Sequence, residues 1–92
     1  MKGNLKIIGS NNDIMPLGEE YDAAELIANK LIVNSRIRHS PYDNDFVCES
    51  YSKELTLDIK NVNICAKHAH VDAWFVDEEF CGGRMEFELY WT

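Results

Sequence analysis

The stretch Glu19-Glu20-Tyr21-Asp22-Ala23-Ala24-Glu25-Leu26-Ile27-Ala28-Asn29-Lys30-Leu31-Ile32-Val33 decides how this chain is read. Ala24, Ile27, Ala28, Leu31 and Ile32 fall at i, i+3, i+4, i+7 and i+8, the spacing of one buried stripe on a helix. Pro16 and Gly18 precede the stretch, and Glu19, Glu20 and Asp22 stand where the positive end of a helix dipole favours carboxylates. Asn34-Ser35 follows as a stop. The spacing therefore predicts one helix over about 19–33.

On either side of it the periodicity is two. Leu5–Ile8 reads as a short first strand, closed by the turn-prone Gly9-Ser10-Asn11-Asn12-Asp13. Ser40-Pro41-Tyr42-Asp43-Asn44-Asp45 reads as a loop, since Pro41 disfavours helix in the residue before it. In Ser50–Ile59, Tyr51, Lys53, Leu55, Leu57 and Ile59 share one face, and Ser52, Glu54, Thr56 and Asp58 the other. After an expected turn at Lys60-Asn61, Val62, Ile64 and Ala66 continue the alternation on even numbers. Val71, Ala73 and Phe75 resume it on odd ones, so a turn or bulge is predicted within Lys67–His70. Residues 77–83 read as a turn on Gly82-Gly83. Arg84–Trp91 is a last strand with Met85, Phe87, Leu89 and Trp91 inward and Arg84, Glu86, Glu88 and Tyr90 outward. The expected fold is α+β: a single domain over 1–92, one helix packed on an antiparallel meander of about four to five strands.

Size and composition narrow the function classes. Ninety-two residues are too few for a (β/α)₈ barrel or a full dinucleotide-binding fold. Sixteen Asp and Glu against nine Lys and Arg give a formal charge of −7. Such a balance argues against general nucleic-acid binding and against adsorption to anionic lipid. No secretory leader is expected from Met1-Lys2-Gly3-Asn4 and the short Leu5–Ile8, and no apolar run approaches a membrane span, so a cytoplasmic location is expected. Cys48, Cys65 and Cys81 form no C-x-x-C pair, and their ordinary reading is reduced, mostly buried small hydrophobes.

Several residues carry candidate chemistry. His68-Ala69-His70-Val71-Asp72 is an H-x-H-x-D pattern, which on a strand aligns two imidazoles and a carboxylate on one face, with Cys65 or His39 as further ligands. The five residues resemble the H-x-H-x-D segment of metallo-β-lactamase-like hydrolases. That family has a further histidine where Ala73 stands and needs roughly twice this length, and the expected turn places both histidines off a regular strand. Cys81 before Gly82-Gly83, with His68 or His70 as base, would be a cysteine nucleophile, although Glu78 and Glu79 oppose thiolate formation. Arg36-Ile37-Arg38-His39 is the one basic cluster. It could touch a phosphate, and it is also explained by the favourable position of cations after a helix C-terminus.

The acidity is unevenly spread. Residues 1–42 hold five acidic and five basic side chains, and residues 43–92 hold eleven acidic and four basic. Glu54 with Asp58, and Glu86 with Glu88, share outer strand faces. Residues two apart on a strand lie about 6.8 Å apart, near the spacing of successive phosphates on a nucleic-acid strand. Asp43, Asp45, Glu49, Asp77, Glu78 and Glu79 would extend the field, and Tyr90 stands beside Glu88. Carboxylates interleaved with Tyr and Trp suit a protein surface that docks by steering onto a basic groove.

In size, charge and lack of signature motifs the chain resembles the small phage-encoded anti-defence proteins of the anti-CRISPR and anti-restriction kind. The resemblance implies an inhibitor without catalysis or cofactor, whose partner is a host protein or ribonucleoprotein complex with a basic nucleic-acid groove. No direct contact with nucleic acid or membrane is implied. The other readings are a metal- or cysteine-dependent enzyme centred on His68, His70, Asp72 and Cys81, or a module that dimerises through a sheet edge or the exposed aromatics.

Overall fold

A computed structural model describes residues 1–12, 14–39, 46–76 and 83–91; the side chains of Arg38, His39, Phe46 and Val47 fall outside that description. The described residues contain six strands: β1 (Lys2–Ser10), β2 (Glu20–Ile27), β3 (Lys30–His39), β4 (Phe46–Cys65), β5 (His68–Phe75) and β6 (Arg84–Tyr90). All neighbours are antiparallel, and β6 returns to β1, so the sheet closes into a barrel of order β1-β2-β3-β4-β5-β6.

The expected α+β fold is therefore corrected to all-β, and the point of correction is the stretch 19–33. It forms β2, the first half of a hairpin and the beginning of β3, not a helix. Ile27 pairs with Lys30 across a two-residue turn, Ala28-Asn29, in which Ala28 adopts φ 54°. One step earlier, β2 carries one more residue than β1 between Ala24 opposite Gly3 and Tyr21 opposite Leu5, and Ala23 there has φ 55°. The buried side chains are Tyr21, Ala24, Leu26, Leu31 and Val33. A bulge sets the first step to three, and the turn sets Ala24 to Leu31 and Leu26 to Val33 seven apart. Those are helical intervals produced by two short strands.

The β-half of the reading stands closer to the structure. Leu55 and Leu57 are buried, and Tyr51 and Ile59 pack at the margin of the core. Met85, Phe87 and Leu89 of β6 and Ala69, Val71, Ala73 and Phe75 of β5 point inward. The expected turn at Lys60-Asn61 is instead a bulge inside a continuous β4, and the turn lies at Ala66-Lys67. His68 and His70 consequently belong to strand β5, not to a turn. The expected burial of the cysteines also fails for Cys48 and Cys65, which are exposed free thiols.

Closing only six strands demands strong tilt and bending. Register shifts interrupt the β1–β2, β1–β6, β3–β4 and β4–β5 ladders, and bulges of this kind bend strands and increase their twist. Following partners from Lys6 through Glu20 and Ile37 reaches Cys48 on β4; going the other way through Glu88 and His70 reaches Asn63 on the same strand. β4 thus serves β3 with its first half and β5 with its second. Met15, from the β1–β2 connection, is fully buried with the strand side chains. The Asn12 side-chain carbonyl holds it there by accepting the backbone N–H groups of Ile14 (3.1 Å) and Met15 (2.8 Å), an Asx-type turn.

Candidate functional site

Alternation along β5 and β6 sends His68, His70, Asp72 and Trp74 outward on one strand and Arg84, Glu86, Glu88 and Tyr90 outward on its neighbour. The ladder sets His68 opposite Tyr90, His70 opposite Glu88, Asp72 opposite Glu86 and Trp74 opposite Arg84. Polar contacts then form diagonally. His70 Nε2 is 2.7 Å from Glu86 Oε1, and the Arg84 guanidinium donates to Asp72 at 3.2 and 3.4 Å. The Tyr90 hydroxyl donates to Glu88 Oε2. His68 stacks on Tyr90, with ring centroids 4.8 Å apart and planes 12° from parallel. Its Nε2 stands 3.5 Å from Glu88 Oε1, an ion-pair distance at which no hydrogen bond is formed.

These contacts shape the acid–base character of the strip. The Tyr90 hydrogen bond, aided by the charge of His68, holds the Glu88 carboxyl below its ordinary range. The same bond raises Tyr90, whose phenolate would face that carboxylate. Arg84 is held above its ordinary value chiefly by its hydrogen bond to Asp72.

The strip borders β4 on one side and β1 on the other. Asp58 lies opposite Trp74 and also points outward, 2.7 Å from Lys60. Asp58, Glu86 and Glu88 therefore share one sheet surface with Trp74 and Tyr90, which are 39% and 45% exposed. Glu54 faces outward on the same strand as Asp58, as the alternation predicts, but on the stretch that pairs with β3. It lies beside β3, 3.2 Å from Lys30, and about 13 Å along the strand from Asp58 at a rise of about 3.3 Å per residue. Glu49 is also separate: it accepts the Arg36 guanidinium, which lies 4.7 Å over the Tyr51 ring. Arg36 is thus tied to its neighbouring strand and to an aromatic ring, and no helix ends before it, so for Arg36 the helix-terminus explanation is replaced by this pairing.

Asp43, Asp45, Asp77, Glu78 and Glu79, together with Cys81, lie outside the described residues. Ten of the sixteen acids belong to described residues, against all nine bases. The formal charge of the barrel strands and their described connections is thus close to neutral. The excess belongs to Asp13 and to segments 40–45 and 77–82.

The H-x-H-x-D pattern does share one outer face of β5, but its members are engaged by three different groups on β6. Among the described residues no group of three His, Cys, Asp or Glu side chains converges in the way a metal ion requires. The meander expected from the sequence already pairs β5 with β6; what escaped that reading is the contact between their outward side chains. Its signal is present: H-x-H-x-D on one strand faces R-x-E-x-E on the next, complementary charges at a common period of two. Among the described residues no helix is long and apolar enough to cross a membrane. Comparison with protein-family models, with characterised proteins and with solved structures yields no match.

Proposed function

We propose that this chain acts by binding, as an inhibitor of the phage anti-defence type that occupies a basic nucleic-acid groove of a host nuclease or CRISPR surveillance complex without turnover. The observation that carries the reading is the shared outer surface of β4, β5 and β6, on which Asp58, Glu86 and Glu88 stand beside the exposed rings of Trp74 and Tyr90. Aromatic rings beside carboxylates combine contact area with charge. Each of the three acids has local partners: Lys60 for Asp58, His70 for Glu86, and the Tyr90 hydroxyl with His68 for Glu88. A guanidinium from the partner forms a bidentate pair with a carboxylate, a stronger contact than a single imidazole or ammonium gives. Docking then exchanges an internal pair for a better external one, and the remaining acid excess steers the approach.

The test is retention of a nuclease complex from a bacterial lysate on the immobilised protein, followed by an assay of nucleic-acid binding by the retained complex. The native chain is expected to retain a complex, to block its nucleic-acid binding, and to release it as salt rises. The triple variant Asp58→Lys/Glu86→Lys/Glu88→Lys is expected to lose retention with its circular dichroism spectrum unchanged, whereas Glu54→Lys keeps it. Equal retention by the triple variant, or a retained complex that still binds nucleic acid, overturns the reading.

A further inference from the structure

Two of the three docking acids lie against the histidines of β5. His70 Nε2 stands 2.7 Å from Glu86 Oε1, and because a carboxylate only accepts, the imidazole donates from Nε2. His68 Nε2 is buried, makes no hydrogen bond among the described residues, and lies 3.5 Å from Glu88 Oε1. Stacking on Tyr90 positions the His68 ring, and the Tyr90 hydroxyl occupies the other oxygen of Glu88. The charged and titratable neighbours of the two rings come from four directions. From β6 they are Glu86, Glu88 and Tyr90. From β4 the Cys65 thiol stands opposite His68, and the uncharged Asn63 opposite His70. From β1, Lys6 stands opposite Glu88 and 4.0 Å from Glu20. On β5 itself Asp72 is engaged by Arg84, and Lys67 belongs to the turn that precedes His68.

We infer that His68 and His70 form a proton-operated switch on the docking surface, which leaves Glu86 and Glu88 available at neutral pH and withdraws them in acid. The inference rests on the docking surface proposed above. Imidazole is the side chain that ordinarily changes charge between pH 5 and 8. Glu88 stays ionised across that interval, since the Tyr90 hydroxyl first, and the charge of His68 after it, hold its carboxyl below the ordinary range. In the neutral state His70 gives Glu86 one uncharged hydrogen bond, and His68 gives Glu88 none. A guanidinium from the partner displaces little. Protonation turns the His70 contact into a charge-assisted bond and places a charged donor 3.5 Å from Glu88 Oε1. Docking must then displace two ion pairs, and the strip carries two fewer negative charges with which to steer a basic partner. Both changes weaken capture in acid.

Fluorescence anisotropy of a labelled deca-arginine peptide, a probe for a basic groove, tests this at constant ionic strength. The native chain is expected to bind the peptide about fivefold or more weakly at about pH 5.5 than at about pH 8, the effect of two exposed ion pairs. His68→Gln/His70→Gln keeps a hydrogen-bonding side chain at each position without the titration, and its two affinities are expected to agree within about twofold. His39→Gln, at the third histidine of the chain, is expected to retain the native dependence. Equal native affinities at the two pH values overturn the switch and leave the docking surface standing, provided that Asp58→Lys/Glu86→Lys/Glu88→Lys still binds more weakly than the native chain at the higher pH. A double glutamine variant with the full native dependence likewise overturns the switch alone. A triple lysine variant that binds as tightly as the native chain overturns both.

Discussion

Replacing Gly3 by alanine opens the seam that closes the barrel. An alanine Cβ at this position would stand 1.8 Å from the Tyr90 carbonyl oxygen, 2.7 Å from its carbonyl carbon and 3.1 Å from the Trp91 Cα. All three are backbone atoms, so no side chain can swing aside. A carbon–oxygen contact is comfortable at roughly 3.3 Å, which requires β1 and β6 to part locally by about 1.5 Å. Such a movement stretches neighbouring ladder bonds beyond hydrogen-bonding distance around Asn4 opposite Tyr90. Two lost bonds at about 1 kcal/mol each, with about 1–2 kcal/mol of packing strain, outweigh the gain of about 0.4–1 kcal/mol from a less flexible unfolded chain. The net loss is about 2–3 kcal/mol, a fall in Tm of about 10–20 °C for a domain of this size. Gly9→Ala is the control. There the Cβ would meet the Glu86 side chain, at 3.0 Å from Oε2 and 3.2 Å from Cβ, and small shifts of that side chain are expected to limit the loss to under about 1 kcal/mol. Thermal and urea unfolding followed by circular dichroism decides the matter. A Gly3→Ala protein melting within about 3 °C of the native one would refute the steric argument.

Ala28→Gly relieves the left-handed conformation at the β2–β3 turn and is expected to raise stability by about 0.5–1 kcal/mol in urea unfolding; a decrease contradicts the turn geometry. Tyr21 has a buried hydroxyl without a hydrogen-bond partner among the described residues, and its pKa is pushed up mainly by burial. Tyr21→Phe is therefore expected to leave stability unchanged or raise it by up to about 1 kcal/mol, whereas a loss of more than that amount would show that the hydroxyl is bonded. Glu88 is held below its ordinary range first by Tyr90, so its contribution to stability is present above the unfolded-state carboxyl pKa and is lost as pH falls through the lower folded value. Tyr90→Phe should move the Glu88 titration to higher pH in carboxyl-detected NMR, and an unchanged midpoint would exclude the assigned cause.

Much of the strand pattern was legible in the sequence alone, and with it the outward direction of the candidate acids. A strand's side chains alternate whatever it pairs with, so Leu55 and Leu57 against Glu54 and Asp58, and Met85, Phe87 and Leu89 against Glu86 and Glu88, declare their faces locally. Charge composition is likewise a property of the chain. Stretch 19–33 was not legible, because its apolar spacing fits a helix and a bulged hairpin equally well. The turn Ala28-Asn29 lacks the Asn-Gly or Asp-Gly signature that marks such hairpins. Only closure of the sheet selects the strands, since Tyr21, Ala24 and Leu26 fill a barrel interior that other strands supply. The grouping of the acids was decided in the same way. Sequence set Glu54 and Asp58 on one outer face, where both stand; the stagger of β4 adds that Glu54 has Lys30 as its neighbour and Asp58 has Trp74 and the β5–β6 strip. Faces follow from local alternation; which faces meet depends on register and shear, and those are fixed by pairings between residues far apart in the chain.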